Sequence, residues 1–180
     1  MRIRVIAGEF GGRFLDSPGS DATHPMGERM RGALFNMIDA EGKTVLDPFA
    51  GSGAVSFEAV SRGAKNSLAL ERDRIAQKVI QKNIESLGVE DRVQLVKANC
   101  RMWSEQNPDA TFDLILADPP YQDLQLSTVS LLIRHLNPNG LMVLSYPGRG
   151  SAPTVNGVVV VDNRYYGDAA LAFYRQRQSK

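Results

Sequence analysis

Apolar and polar positions follow a strand–helix alternation through the middle of the chain. Short continuous apolar runs are typical of strands covered on both faces, and apolar residues three and four positions apart indicate amphipathic helices. The runs predict five strands, at Thr44–Asp47, Ser67–Leu70, Val93–Val96, Phe112–Ala117 and Leu141–Ser145. The spacings predict three intervening helices, at Ala54–Arg62, Ala76–Leu87 and Val129–Leu136, and a break at Asn137-Pro138-Asn139-Gly140.

Both ends of the chain depart from this alternation. Val158–Val161 and Ala169–Arg175 predict two strands whose connection is too short for a helix, which makes them antiparallel neighbours. At the amino end, Arg2–Ile6 and Arg13–Leu15 predict a hairpin, and a helical face from Met30 to Ile38 follows it. We therefore predict an α/β fold with a mostly parallel seven-stranded sheet, an antiparallel C-terminal hairpin and a small N-terminal extension made of a β-hairpin and a helix.

Length and composition narrow the range of functions. The 180 residues fit one compact domain, with the extension over 1–40 and the core over 41–180. The formal net charge of +1 is far below that of a protein that coats nucleic acid by bulk charge. One cysteine and two histidines allow no internal disulfide and show no zinc spacing, so no metal is expected. Without a signal-peptide core or a long apolar run, the sequence predicts a cytoplasmic protein with no membrane contact.

A glycine-containing loop, Asp47-Pro48-Phe49-Ala50-Gly51-Ser52-Gly53, joins the first core strand to its helix. Open α/β sheets bind ligands outside the carboxyl ends of their strands, where glycines permit close approach to the backbone. The loop lacks the third glycine of a dinucleotide fingerprint and the Gly-Lys-Ser/Thr end of a P-loop. Glu71, after the second strand, is placed to hold ribose hydroxyls, and Asn99 could face a nucleobase amine. Asp47 favours a cationic amino-acid moiety over a pyrophosphate, and a tight turn without a ligand is the structural alternative.

The string Asp118-Pro119-Pro120-Tyr121 directly follows an apolar strand. Two consecutive prolines fix φ and remove two N–H donors, which leaves rigid carbonyl acceptors nearby. Asp118 and the Pro119 carbonyl can accept the two N–H bonds of a nucleobase amine, and the ring of Tyr121 can stack on the base, which contributes about 1–3 kcal/mol. Acceptors on both N–H bonds favour rehybridisation of the conjugated nitrogen toward an electrophile. The structural alternative is a proline-rich loop with a surface aromatic residue.

These motifs resemble those of the class I S-adenosylmethionine-dependent methyltransferases, and the chain is similar over nearly its whole length to the RsmD family of bacterial 16S ribosomal RNA guanine-N2 methyltransferases. Besides the two motifs, the resemblance rests on Arg2-Ile3-Arg4-Val5-Ile6-Ala7-Gly8, Gly12-Arg13, Leu34-Phe35-Asn36, Ser61-Arg62-Gly63-Ala64 and Tyr174-Arg175-Gln176. It implies a Rossmann-like class I methyltransferase fold and methyl transfer from S-adenosylmethionine to N2 of a guanine in 16S RNA. The expected partner is this RNA within a small-subunit particle, and the expected state is a monomer.

The resemblance also implies roles for individual residues. Catalysis is expected from Asp118, Pro119, Pro120 and Tyr121. Cofactor contacts are expected from Asp47, Phe49, Ala50, Gly51, Ser52, Gly53, Glu71, Arg72, Asn99, Cys100 and Asp118. RNA contacts are expected from Arg2, Arg4, Arg13, His24, Pro25, Arg29, Arg31 and Tyr121.

The chain departs from the usual family pattern at three places. His24-Pro25-Met26, Gly32 and Asn99 stand where the family usually has Arg-Pro-Thr, glutamate and aspartate. Because Asp-Pro-Pro-Tyr does not separate adenine from guanine, an adenine-N6 methyltransferase of DNA or RNA is an alternative, although no additional DNA-recognition region fits this length. A non-catalytic RNA-binding assembly factor and a nicotinamide dehydrogenase are weaker alternatives. The intact acceptor set argues against the first, and the missing third glycine argues against the second.

Overall fold

The computed structural model describes residues 2–19, 26–148 and 150–177. Within these ranges the strands are β1 (Arg2–Arg4), β2 (Phe14–Asp16), β3 (Thr44–Asp47), β4 (Asn66–Leu70), β5 (Val93–Val96), β6 (Phe112–Ala117), β7 (Leu136–Pro147), β8 (Val158–Tyr166) and β9 (Ala169–Gln176). The helices are α1 (Glu28–Met37), α2 (Ala54–Ser61), α3 (Arg74–Leu87), α4 (Cys100–Gln106) and α5 (Leu126–Leu132), and one 3₁₀ turn follows at Ile133–His135.

Seven strands form the main sheet, in the order β5-β4-β3-β6-β7-β9-β8. Strands β3 to β7 are parallel to one another, and β9 pairs antiparallel with both β7 and β8. The predicted mostly parallel sheet with a C-terminal hairpin is therefore confirmed. The strand order reverses between β3 and β6, which opens a crevice at their carboxyl ends, where ligands of such sheets bind.

The N-terminal strands form the predicted hairpin, which packs onto the same core as the sheet. β1 and β2 pair antiparallel, with Arg2 opposite Asp16. The buried carboxylate of Glu58 on α2 accepts backbone N–H bonds from Ile6 at 2.9 Å and Ala7 at 3.2 Å, just after β1. One glutamate thus fixes the start of the connection between β1 and β2. The division at residues 1–40 and 41–180 stays a prediction.

The observed elements differ from the predicted ones at several boundaries. Residues 137–140 lie inside β7, where the pairing with β6 shifts between Phe112 and Leu114. Asn137 donates to Asp113 at 2.9 Å across this irregularity, so the turn-forming residues kink a strand and do not end an element. Accordingly Leu136, assigned to a helical face, begins β7. β8 continues to Tyr166 because its partner β9 extends the ladder beyond the apolar run.

Helix α4 was absent from the predicted elements. Only Cys100, Trp103 and Ser104 of its seven residues are buried, so its sequence has no long apolar stripe. The helix begins with an N-cap in which the Asn99 Oδ1 accepts the Met102 N–H at 2.8 Å. Capping and one buried face therefore specify this element.

No described helix combines the length and the apolar character needed to cross a membrane. Within the same described ranges, no group of three or more His, Cys, Asp and Glu residues has an arrangement that could hold a metal ion.

Candidate active site

A cavity of about 740 Å³ lies at the carboxyl ends of β3, β4, β5 and β6. Its walls include most of the predicted catalytic and cofactor residues, namely Phe49, Ala50, Gly51, Ser52, Glu71, Arg72, Asn99, Cys100, Asp118, Pro119, Pro120 and Tyr121. Residues distant in sequence complete the walls: Met26, Gly27, Arg29 and Met30 at the start of α1, and residues 166–169 around the β8–β9 turn. The volume is in the range of small-molecule sites.

Asp47 lies beneath the glycine loop, outside the cavity lining, and is only 1% exposed. Its Oδ2 accepts a hydrogen bond from the Ser56 hydroxyl at 2.7 Å, while its buried Oδ1 has no partner among the residues that the structure describes. The pKa of Asp47 is raised to about 7, mainly by burial and in part by the charges of Asp118 and Glu71, while the hydrogen bond from Ser56 opposes the rise. A buried carboxylate with an open oxygen is stabilised by a cation.

Gly53 does not line the cavity either, and its conformation has a local cause. Its φ of 81° lies in the left-handed region, and a Cβ there would stand 2.6 Å from the ring of Phe57. Gly51 has a φ of 57° and nothing within 4 Å of an added Cβ, and it lines the cavity. The glycine that permits ligand approach is therefore Gly51, while Gly53 serves the entry into α2.

Glu71 supports the glycine loop from the next strand. Its Oε2 accepts the Gly51 N–H at 2.8 Å, and its Oε1 accepts the N–H groups of Arg72 and Asp73 at 3.0 Å. These bonds tie the ends of β3 and β4 together. Oε1 already accepts two bonds, whereas Oε2 accepts one and retains acceptor capacity, and the expected ribose contact stays a prediction.

Asn99 and Cys100 line the cavity from the start of α4. The Oδ1 of Asn99 already accepts the Met102 N–H, so only its second lone pair and its amide nitrogen are left for a ligand. Burial raises the pKa of the Cys100 thiol, which keeps it protonated at neutral pH. As a neutral thiol, Cys100 is a small apolar wall residue and not a nucleophile.

Asp118 follows β6, and its carboxylate is held by two donors. They are the Ser145 hydroxyl, from the neighbouring strand β7, and the Met26 N–H. Burial raises the pKa of Asp118 to about 6, and these two hydrogen bonds lower it. A carboxylate has about four acceptor sites, so two sites are available for a substrate amine.

Ser145 also holds Tyr121, since the two hydroxyl oxygens are 2.6 Å apart. A serine hydroxyl has one proton, and a carboxylate is the stronger acceptor, so Ser145 donates to Asp118 and accepts from Tyr121. Ser145 is fully buried, whereas the ring of Tyr121 is 38% exposed. The Asp-Pro-Pro-Tyr string is therefore held at both ends by one side chain.

The Pro119 carbonyl accepts no hydrogen bond from any residue within the described ranges. Pro119 and Pro120 have no backbone N–H, so no donor at these two positions occupies this carbonyl. The pair of acceptors expected from the sequence, Asp118 and the Pro119 carbonyl, stays a prediction.

The structure corrects the expected role of Arg31, which is 2% exposed. Its Nε pairs with Glu58 at 3.4 Å, and its Nη1 donates to the Met26 carbonyl at 3.1 Å. A guanidinium committed in this way offers no surface for an RNA phosphate. Instead, Arg31 anchors the residue whose N–H caps Asp118.

The remaining RNA-contact predictions fall into three groups. Arg29 is exposed and lines the cavity. Arg2, Arg4 and Arg13 are exposed but lie outside the cavity lining; Arg4 pairs with Glu28, and Arg13 donates to the Ser86 carbonyl at 3.1 Å. His24 and Pro25 lie outside the described residues.

Sequence reasoning missed three parts of this site. Ser145 had a usable signal, because it is a polar residue inside the apolar run of a buried strand beside β6. Met26 contributes through its backbone, and backbone contacts leave no side-chain signal. The β8–β9 turn reaches the cavity because β9 inserts between β7 and β8, a strand order that sequence neighbours alone do not specify.

The carboxylates of this site fit one class of cofactor. The carboxylates of Glu71 and Asp118 line the cavity and suit a ligand that carries positive charge, and the buried carboxylate of Asp47 acts on the same region from behind the lining. S-adenosylmethionine carries a sulfonium and an ammonium group, and its adenosine suits the acceptors that follow β4 and β5. The fold and the site thus define an S-adenosylmethionine-dependent methyltransferase.

Comparisons with known proteins agree with this class. The family model described as "Conserved hypothetical protein 95" matches residues 3–175, and the chain belongs to that family. YlbH of Bacillus subtilis is 30% identical over 183 residues, which cover 97% of this chain and 100% of YlbH. The ribosomal RNA small subunit methyltransferase D of Haemophilus influenzae is 33% identical over 147 residues, 78% of this chain and 76% of that protein.

A solved structure is also closely similar. The structure of yhhF from Escherichia coli has 28% sequence identity, covers 98% of both chains and gives a TM-score of 0.86. The predicted membership of the RsmD family, the class I fold and the cofactor class are thereby confirmed.

Proposed function

We propose that this chain transfers a methyl group from S-adenosylmethionine to the exocyclic N2 of a guanine in 16S ribosomal RNA. The observation that carries the proposal is the acceptor pair of Asp118 and the Pro119 carbonyl, fixed by Ser145 and Met26 at the wall of the cavity. The name of the Haemophilus influenzae relative supports a small-subunit RNA substrate. The family resemblance supports guanine N2.

The cofactor half of the site is the region around Asp47, Gly51 and Glu71. Bound S-adenosylmethionine supplies an electrophilic methyl group. Glu71 offers a carboxylate to its ribose, Asp47 attracts its cationic group from behind the cavity lining, and Gly51 leaves its backbone open to close approach. These contacts set the position and direction of the methyl group.

The acceptor half orients the nucleobase amine. The two N–H bonds point to the Asp118 carboxylate and to the Pro119 carbonyl, which turns the nitrogen lone pair toward the cofactor half. The conjugated amine becomes nucleophilic as it rehybridises, so these hydrogen bonds strengthen toward the transition state. Positioning of this kind supplies much of the rate.

The proton that leaves the methylated nitrogen needs no strong base, because the nitrogen carries a positive charge after transfer. The Asp118 carboxylate, which accepts one of these N–H bonds, is the nearest proton acceptor in this geometry. Its pKa of about 6 leaves it mostly ionised at neutral pH, as that role requires.

The target base has to leave its stack to reach this cavity. Tyr121, tethered through its hydroxyl, presents a ring on which the base stacks, and Arg29 contacts the neighbouring phosphate at the rim. A near-neutral chain fits recognition of a folded small-subunit particle better than coating of naked RNA. We propose that it acts as a monomer, in the cytoplasm.

Adenine N6 is the second candidate for the acceptor atom. A tRNA1(Val) (adenine(37)-N6)-methyltransferase of Shewanella loihica is 37% identical over 86 residues, 46% of this chain and 35% of that protein. Adenine N6 carries the same two N–H bonds, so the acceptor pair suits both bases.

The test combines substrates with product analysis. Tritiated S-adenosylmethionine is supplied with small subunits that lack the modification, with naked 16S RNA and with duplex DNA, and the labelled nucleoside is identified. We expect label in N2-methylguanine, with more transfer to the particle than to the naked RNA. Label in N6-methyladenine would overturn the assignment of the base, and transfer to DNA alone would overturn the assignment of the substrate.

A further inference from the structure

We propose that one exposed face of α3 is a second RNA contact, which binds phosphates of the RNA that flanks the target nucleotide. This α3 cationic face consists of Arg74, Lys78 and Lys82 on the helix, Arg2 on β1 and Lys97 after β5. The inference rests on the proposed RNA substrate and adds the surface that holds it outside the cavity.

The cations of this face form a regular row along the helix. Arg74, Lys78 and Lys82 are spaced four residues apart, which places them on successive turns of one side, about 6 Å from one another along the axis. All three are exposed, whereas Ala76, Ile80 and Ile84 are buried against the core. The row therefore lies opposite the packed face of α3.

Two surface grooves flank the row. One groove, of about 510 Å³, is lined by Arg2 with Lys78 and Lys82. The other, of about 400 Å³, is lined by Lys97 and Arg74 with the same two lysines. Because Lys78 and Lys82 line both grooves, they form the ridge between them, and a polyanion in either groove reaches both lysines.

The charge of this face is strongly unbalanced. The acidic residues in the two grooves are Asp16 and Glu85, against five cations. Lys82 pairs with Asp16 at 2.8 Å in an exposed ion pair of little energetic weight. Arg74, Lys78 and Lys97 form no ion pair with any residue in the described part of the chain.

Helix stability does not explain the row, because like charges four residues apart weaken a helix. A polyanion relieves that repulsion and releases its own counterions. Lysine binds phosphate as a point charge and reads no base edge. The face thus fits an RNA backbone that is bound without regard to its sequence.

The face is continuous with the active site. Arg72 and Asp73 line the catalytic cavity, and Arg74 is the next residue, at the start of α3. From there the row runs along α3, away from the cavity. RNA that delivers its target base to Asp118 therefore has a path for its flanking backbone.

The test compares two double variants that remove the same charge. Arg74→Gln with Lys78→Gln removes two cations from the face. Lys65→Gln with Arg134→Gln removes two exposed cations that directly precede β4 and β7, at the amino ends of these strands, whereas the cavity lies at the carboxyl ends. Fluorescence anisotropy measures binding of a 16S RNA transcript and of an unrelated RNA of equal length, over about 50–200 mM salt.

We expect the α3 variant to bind both RNAs about tenfold more weakly at low salt. The slope of log affinity against log salt should fall by about 1.5 in magnitude, since each lost phosphate contact removes nearly one unit. Cofactor affinity should not change. The control variant should keep the wild-type slope. The variant Arg74→Lys with Lys78→Arg keeps both positive charges and should bind like the wild type.

An unchanged slope in the α3 variant, or an equal loss in the control variant, would overturn this surface. The proposed function is tested by a different measurement, the identity of the labelled base. Methyl label on a base other than guanine removes the assignment of the base and leaves the salt slopes intact.

Discussion

The two halves of the cavity are each built around a carboxylate, and the two carboxylates are held differently. Asp118 receives two hydrogen bonds from the protein, whereas Asp47 keeps one buried oxygen without a described partner. Burial raises the pKa of both, to about 6 for Asp118 and about 7 for Asp47. The Asp118 side is thus already organised in this structure, and we expect a cationic ligand to complete the Asp47 side.

Replacing Asp118 tests the acceptor half and should give the largest effect. In Asp118→Ala, methyl transfer should fall by about 10³-fold, because one of two fixed acceptors is lost in the transition state. Cofactor affinity should change little. The cationic cofactor loses the attraction of Asp118, but the loss of that charge also favours ionisation of Asp47, which offsets it. Single-turnover transfer and calorimetric binding of the cofactor measure the two effects. Transfer at the wild-type rate would contradict the assigned role.

Replacing Asp47 tests the cofactor half, where we expect cofactor binding to change and methyl transfer to stay the same. Asp47→Asn should weaken cofactor binding by about 10–100-fold, the loss of one buried charge interaction, and leave transfer at saturating cofactor nearly unchanged. Without cofactor, the same variant should melt about 2–6 °C higher at pH 8, because it buries no charge. A matched control is Asp113→Asn, at a carboxylate near the amino end of β6. Loss of transfer with normal binding would reverse the two roles.

The pH dependence of cofactor affinity separates the halves without mutation. A cation binds the ionised form of Asp47, so affinity should be constant above about pH 8 and fall as pH drops through 7, by at most about tenfold per unit. The Asp47→Asn profile should be flat in this range. In the cofactor-free protein Asp47 has the opposite effect. Because folding raises its pKa, the free energy of unfolding falls as pH rises toward 7. Calorimetry and thermal melts across pH 5–9 check both signs, and a flat wild-type profile would refute them.

Ser145 sharpens the comparison by a smaller amount. Ser145→Ala should lower kcat about fivefold, because Asp118 and Tyr121 both lose a partner, while cofactor affinity stays the same. Ser145→Thr keeps a hydroxyl and should restore most of the rate. The pH profile of kcat should shift upward in Ser145→Ala, since a hydrogen bond that lowers the Asp118 pKa is gone. A rate loss with no such shift would indicate a packing defect.

The sequence predicted the sheet, and it pointed to the glycine loop and the Asp-Pro-Pro-Tyr string as candidate site residues, because these depend on local patterns. Apolar runs identify β3 to β6, and Asp-Pro-Pro-Tyr requires no long-range information. Arg31 was misassigned because an arginine beside a helical stripe has the same local pattern whether it faces solvent or the Glu58 carboxylate. Met26 and Ser145 were missed for a related reason: their partners lie in distant segments, which only the folded chain brings together.

Met26 connects two events that are usually considered separately, the folding of the chain and the readiness of its acceptor group. Its carbonyl is held by the buried Arg31, and its N–H by Asp118, from the opposite half of the sequence. Contacts between such distant segments carry a cost in loop-closure entropy and slow folding. The acceptor carboxylate is therefore complete only when the N-terminal extension has docked. A partly folded chain has the catalytic string without its full set of supports, and amide hydrogen exchange at Met26 reports when the enzyme becomes competent.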